Sequence, residues 1–499
     1  MTARRDVMPS EVAPPLSRQA VNAGVWAIRL RAVERGLAVV RILVLARLVA
    51  PEDFGLFGVA TLMVASLEVF TQTGFAAALI QRRGEIREYL DVAWTAQAIR
   101  GALLAGGAWL LAGPIAGFFD VTEAVPLLRV LGLVFLFQGV TNIGIVNFRR
   151  DLELHRQWGY VAAGAVTEVT VAIGIAAFGG GAWSLVIGVV AGHGSRAVAS
   201  YVVHPYRPRV RLDLGKAREL YAFGRWVFAS GILIFLVTQG DDAVVGRLLG
   251  VTALGWYQMA YLLSNLPATQ IAHVLNEVTL PAFARLQDDR VRLTTAYLLS
   301  METVATASFP LAAMLLVAAP EIARGALGPD WVPIAPSLRI LAILGVLRAL
   351  GASNGALVQG AGRPRVDSEI ALIHLALMAA FIVPLTRTWG LAGAASAVTL
   401  PMLASQAYGF WRVRQVLGVT AADLAGRIAI PVTASALLAV AYAACRVVLD
   451  SAVPTLLAGG LLGASIYAAL IFAAHRRAAR LGRETAVSFL VRALRDRGS

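Results

Sequence analysis

Residues 43–63, LVLARLVAPEDFGLFGVATLM, return 200 positions later as residues 243–263, AVVGRLLGVTALGWYQMAYLL. Arg47 aligns with Arg247, Leu48 with Leu248, Gly55 with Gly255, Ala60 with Ala260 and Leu62 with Leu262. Each copy leaves one apolar run, turns, and enters the next. Six predicted spans separate the copies, so both halves of the chain point the same way. A parallel repeat of this kind relates two helix bundles by an axis along the membrane normal. Two such lobes facing a central cavity are built for alternating access rather than for a static scaffold.

The composition around the repeat requires a bilayer. The 499 residues are 58% hydrophobic and only 15% charged, against about 25% charged in an ordinary soluble domain; mean hydropathy is +0.70. A span takes about 20 apolar residues, which predicts helices near 24–49, 55–80, 91–117, 125–148, 158–178, 182–203, 219–248, 253–280, 296–319, 333–359, 368–386, 390–411, 427–447 and 454–474. The expected fold class is all-α integral membrane with about 14 transmembrane helices. The repeat divides them into an N-lobe (23–203) and a C-lobe (219–412) of six helices each, joined by a basic cytoplasmic linker (204–218). A further helix pair (427–474) follows, and the cytoplasmic tails are 1–22 and 475–499.

Charge placement supports this layout. Of the 44 Lys and Arg, 29 fall on the proposed cytoplasmic side and ten within spans; five lie outside, at Arg47, Arg247, Arg324, Arg387 and Arg446. The asymmetry follows the positive-inside rule with both termini inside. The net charge of +14 therefore belongs to loops beside anionic lipid, and no nucleic-acid partner is expected. The sole cysteine, Cys445, excludes an internal disulfide, and six scattered histidines give no metal-ligand spacing. The first twenty residues lack the apolar core and cleavage site of a signal peptide. Gly179-Gly180-Gly181 is a tight external turn rather than a phosphate loop, and no nucleotide-binding Walker motif is present, so neither a catalytic residue nor a cofactor is expected.

Intramembrane charge is costly, at least ~2.5 kcal/mol on insertion scales, and tends to face protein or water. The first helix holds Arg29, Arg31, Glu34, Arg35 and Arg41; Arg31, Glu34, Arg35 and Arg41 share an arc of about 120°. Arg29, near the end, can snorkel, but the other four cannot all do so. They read as a cationic stripe lining a water-filled cavity suited to a phosphate-like anion, which Arg grips as a fork. A purely structural network with Glu34 as counter-charge is the alternative. Arg225 and Arg348 are further candidates for the cavity. Glu34, Glu68, Asp242 and Glu302 are candidates for ion coupling or for salt bridges. Arg225, Gln239 and Asp242 share one side of the seventh helix. Arg100 and Asn354 are polar groups in the third and tenth helices, and Gln258, Asn265, Gln270, His273 and Asn276 make the eighth polar. Inter-helix hydrogen bonding and sugar binding explain that eighth helix equally well.

LARLVAPEDFGLFGVATLM resembles the signature of the polysaccharide-transport flippases, in which an Arg-Leu-x-x-Pro-x-x-Phe-Gly turn joins the first two helices. NFRRDLELHR after the fourth helix, and LGVTALGWYQMAYLLSNLP followed by LPAFARLQDD, are similar to that family as well. The resemblance covers nearly the whole chain, and the family sits in a superfamily with the lipid II flippases and the multidrug and toxin extruders. It implies transport of an undecaprenyl-diphosphate-linked oligosaccharide across the bacterial inner membrane for O-antigen, capsule or exopolysaccharide. It also implies membrane lipids as surroundings and a polymerase and other polysaccharide-assembly proteins as partners; directionality is expected from a proton or Na+ gradient or from consumption of product outside. A monomer is expected, because the cavity forms within one chain. No single residue here matches an invariant substrate-binding position of the family, so the candidate site rests on the physics of the charges. A cation antiporter of the same superfamily would favour an acidic cavity. A membrane polymerase would need a long external loop, whereas the longest here, near 320–333, carries only Glu321, Arg324 and Asp330.

Overall fold

The computed structural model of the chain describes residues 36–69, 87–150, 154–211, 213–449 and 451–480. Every regular element among them is helical. The helices are α1 (36–48), α2 (Pro51–Val69), α3 (Arg87–Phe118) and α4, which Gly132 interrupts between Val125–Leu131 and Leu133–Val140. They continue as α5 (Leu154–Ala177), α6 (Gly181–Val203), α7 (Leu214–Leu249), α8 (Val251–Arg285), α9 (Arg290–Glu321) and α10 (Ala335–Gly360). The helical stretch Arg365–Leu417 supplies α11 (365–389) and α12 (391–417), followed by α13 (Ala421–Val448) and α14 (Ala452–Arg480). Among the described residues nine helices are long and apolar enough to cross a bilayer. The chain is a multi-pass, all-α membrane protein.

Local chemistry sets the boundaries. Arg365–Leu417 is 53 residues, about 80 Å if straight, far beyond a hydrocarbon core of about 30 Å. Gly390 at φ 57° folds it back, and a Cβ on Gly393 would lie 1.9 Å from the Leu385 carbonyl oxygen. Only glycine permits both the left-handed backbone and that approach. The fourth helix ends at Val140 rather than near 148, because Asn142 turns its side chain onto the Gly144 N–H at 2.9 Å and starts a short 3₁₀ turn. α13 opens on a capping box between Thr420 and Asp423. α7 begins at Leu214, ahead of the expected 219. The first half of the linker is lashed to α3: Asp91 accepts from the Tyr206 hydroxyl at 2.5 Å and from Arg209 N at 2.9 Å, and Arg211 N donates to Thr95 Oγ1 at 2.9 Å.

Packing is uneven from end to end. The largest apolar cluster takes Val59, Leu128 and Phe135 from the first six helices together with Leu254, Tyr257, Trp331, Leu341 and Val398 from the next six. It joins the two halves towards the end that the charge count assigns to the outside. Towards the other end the clusters separate: Leu90, Ala93, Ile143 and Val146 form one, and Phe283, Tyr297, Leu357 and Val413 another. The described halves therefore share one cluster at one end and form separate clusters at the other. α13 is braced to α9 at both ends, by Arg427 on Glu302 at 3.3 Å and Arg446 on Glu321 at 3.0 Å.

Candidate functional site

The outer seam is built by the residues that repeat in sequence. Where α2 crosses α8, a Cβ on Gly55 would sit 1.8 Å from the Val251 carbonyl oxygen, and one on Gly255 would sit 2.0 Å from that of Pro51. Only paired glycines allow so close a backbone crossing. The matched arginines then reach across in opposite directions. Arg47 donates through Nε to the Ala326 carbonyl at 3.0 Å and through its guanidinium to the Gly325 carbonyl. Arg247 pairs with Asp120, which occupies a turn at φ 58° just after α3. Trp331 closes the seam, donating its indole N–H to the Ala46 carbonyl at 2.7 Å and packing edge-on to Phe54 at 5.1 Å.

Beneath the seam lies a cavity of about 130 Å³ between the halves. Its walls are mainly apolar, with Phe54, Phe57 and Leu185 on one side and Met259 and Leu262 on the other. Arg41 is the charged residue in its wall, and Gln258 faces it from α8. Behind Arg41 stands an ion cluster: Arg41 pairs with one oxygen of Glu168 on α5, and Arg196 on α6 approaches the other at 3.7 Å. Small residues make the space. A Cβ on Gly192 would meet that of Glu168 at 2.8 Å, and one on Gly164 would sit 2.1 Å from Cγ of Arg196. The Arg196 Nε is buried without a hydrogen-bond partner.

Behind Gln258 the sign reverses. Its amide donates to Asp242 at 3.0 Å, and the hydroxyl of the adjacent Tyr257 donates to Asp241 at 2.7 Å. Both carboxylates are buried, Asp241 at 1% and Asp242 at 8% exposure. One oxygen of Asp241 has no hydrogen-bond partner. Arg348 on α10 acts on Asp241 electrostatically, donates to Asn265 at 3.1 Å and lies 5.2 Å over the ring of Tyr261. Gln258 thus has a place in both environments, with its side chain in the cavity wall and its amide on the acidic pair.

The candidates named from sequence distribute unevenly over this geometry. Arg31, Glu34 and Arg35, with Arg29, lie outside the described residues. Arg225 is placed on α7, and Gln270, His273 and Asn276 on α8, but their side chains lie outside the described set. Arg41 is in the cavity wall, while Arg348 and Asp242 belong to the acidic cluster. Glu302 braces α13 instead of facing the cavity. Arg100 donates to the Glu68 carbonyl at 3.3 Å. Asn354 accepts from Tyr297 at 2.8 Å and donates to Gln406 at 3.3 Å, an inter-helix network. Sequence reasoning passed over Glu168, Arg196 and Asp241. The signal for Glu168 was present, one carboxylate in an apolar run, as at Glu68 and Glu302. Among the described residues no His, Cys, Asp and Glu cluster has the makings of a metal site.

A sequence profile described as polysaccharide biosynthesis protein matches residues 44–336. Over 410 residues the chain is 24% identical to the lipopolysaccharide biosynthesis protein WzxC of Escherichia coli K12, covering 81% of this chain and 82% of that protein. It is 28% identical over 340 residues to the succinoglycan biosynthesis transport protein ExoT of Rhizobium meliloti, covering 66% of this chain and 67% of that one. Among solved structures, the lipid II flippase MurJ in an inward closed conformation superposes with a TM-score of 0.71 at 14% identity, over 91% of this chain and 99% of that one. An inward-facing multidrug resistance transporter of the MATE family superposes at 0.61 and 17% identity, over 78% and 96%. Both structural likenesses speak to the fold.

Proposed function

The chain belongs to the polysaccharide biosynthesis protein family, and from that premise we propose that it is a flippase for an undecaprenyl-diphosphate-linked oligosaccharide. It carries this substrate across the bacterial inner membrane by alternating access. The observation that carries the reading is Arg41, a guanidinium in the wall of an apolar cavity between two related halves. A lipid-linked glycan presents an anion joined to an apolar tail, and such a cavity suits that junction. The Arg fork matches the oxygens of a diphosphate.

On this reading the fourteen helices are fourteen spans, arranged as N-lobe 23–203, C-lobe 219–412 and the terminal pair 427–474. From the cytoplasm the diphosphate meets Arg31, Arg35 and Arg41, with Arg225 and Arg348 on the C-lobe side. The polyprenyl tail stays in lipid, in the gap between lobes. Opening then parts the seam at Gly55, Gly255, Arg47 and Arg247 while the cytoplasmic ends close. Asp242, with Asp241 beside it, is the coupling group for a proton or Na+. The family resemblance to surface-glycan transport proteins supports the substrate class, and the closed outer seam over separate inner clusters supports the rocking motion.

The test is complementation of a flippase-deficient strain with a variant neutralised at Arg35 and Arg41 together. Surface glycan is expected to disappear while membrane insertion remains normal. Undiminished glycan overturns the cavity reading, and drug resistance without a glycan phenotype points to a cation antiporter.

A further inference from the structure

We infer that Glu168 is a resident counter-ion: in the empty protein it occupies the station on Arg41 that a phosphate group takes in the loaded one, and Arg196 receives Glu168 when the exchange occurs. This rests on the anionic substrate class proposed above, and it assigns two residues that touch the cavity only through Arg41.

The geometry is asymmetric in the way an exchange needs. Arg41 is in the cavity wall, whereas Glu168 and Arg196 stand behind it and line no part of the cavity. An anion arriving from the cavity therefore meets Arg41 before it meets Glu168 or Arg196. Glu168 holds Arg41 closely, but its second oxygen is 3.7 Å from Arg196, too far for a hydrogen bond. A shift of under 1 Å would bring that contact to hydrogen-bond distance. The buried Arg196 Nε has no acceptor, so Arg196 has a donor in reserve for the arriving carboxylate. Among the described residues the cluster carries two guanidinium groups against one carboxylate, a net positive charge for an incoming anion.

The arrangement selects its ligand. Arg41 and Glu168 are partly shielded, their side chains 27% and 16% exposed, so separating the pair with nothing in its place is unfavourable. Arg41 leaves Glu168 only for a group that offers comparable charge and a fork of oxygens, which phosphate does and a neutral sugar or a cation does not. Gly164 is the enabling position, since the stem of Arg196 lies against it where a Cβ would stand 2.1 Å from Cγ.

The test is titration of the purified full-length protein in lipid nanodiscs with inorganic pyrophosphate, read by calorimetry. Glu168→Gln removes the internal competitor and is expected to tighten binding about tenfold. Arg196→Gln removes the receiving station and is expected to weaken it about tenfold, although Arg196 lies outside the cavity wall. Gly164→Leu displaces Arg196 without changing any charge and is expected to act as Arg196→Gln does. Unchanged or weaker binding in Glu168→Gln overturns the exchange, as does unchanged binding in Arg196→Gln. If Glu168→Gln does not fold, the double variant Glu168→Gln with Arg196→Gln restores the charge balance. It must then bind pyrophosphate more tightly than Arg196→Gln alone, or the proposal falls. Should all affinities move as expected while surface glycan is untouched by every variant, the exchange stands and the glycan substrate falls. Glycan loss with unmoved affinities has the opposite meaning.

Discussion

Arg41 and Asp241 occupy equivalent places in the two halves, 200 residues apart and six residues before the matched Arg47 and Arg247, yet they carry opposite charges. Around Arg41 two guanidinium groups flank one carboxylate. Around Asp241 two carboxylates are held by Tyr257 and Gln258, with Arg348 as the nearby cation. At the outer seam the two halves are alike, each contributing a glycine to the crossing. The difference has a mechanical reason. A seam closed by two crossing helices needs glycine on both, since either Cβ alone would strike the opposing backbone. The interior has no such reciprocity, so its two sides can carry opposite charge.

Breaking that division is expected to have the largest consequence. Arg41→Gln takes from Glu168 its close partner, leaving only Arg196 at 3.7 Å, and removes the cation from the cavity wall. Glycan export should fall at least about 100-fold, scored by surface glycan at matched protein levels. Arg41→Lys should recover only part, because an ammonium lacks the fork. Next comes the acidic side: Asp242→Asn should reduce export about tenfold and abolish its response to the proton or Na+ gradient in vesicles. Pyrophosphate affinity should stay as in the parent, which separates the two interiors.

The seam can then be tested for its symmetry. Gly55→Ala and Gly255→Ala should each destabilise the closed seam by about 1–3 kcal/mol, and by similar amounts. Removing the sole cysteine, Cys445, gives a background in which a cysteine placed in the cavity reports its access to an impermeant thiol reagent from outside. Labelling should rise in both variants. The smallest effect belongs to one of the matched arginines, because here the halves should differ. Arg47→Gln loses donations to two carbonyls, worth about 1.5–3 kcal/mol for a charged donor. Arg247→Gln loses an ion pair whose side chains are 44% and 73% exposed, worth about 0–1 kcal/mol. The same labelling should rank Arg47→Gln above Arg247→Gln.

Much of this was legible in the chain itself. The repeat marked Arg47, Gly55, Arg247 and Gly255 before any contact was visible, because glycine at a helix crossing and charge at a helix end are constraints that local sequence carries. Arg41 stood out because a guanidinium amid apolar residues has few places to go. Glu302 looked identical to Glu168 by the same criterion, one acid in an apolar run, yet one braces α13 and the other holds Arg41. Helical periodicity tells which residues share a face but not which helix that face meets. The fold-back at Gly390 was legible only as a break in hydropathy, and its sharpness came from the approach of Gly393 to Leu385.

Sequence by itself determined that the chain lives in a bilayer as a multi-pass helical protein, and that one segment returns 200 residues later. Hydropathy, loop charge and self-similarity are additive along the chain and need no partner to be read. Tertiary structure decided the pairings: Arg41 with Glu168 and Arg196, Gln258 with Asp242, and each repeated arginine with the opposite half. Those contacts join residues more than a hundred positions apart or lie across helices whose order in space no local pattern encodes. The charge of Arg41 in the cavity wall and the acidic pair behind Gln258 are set there.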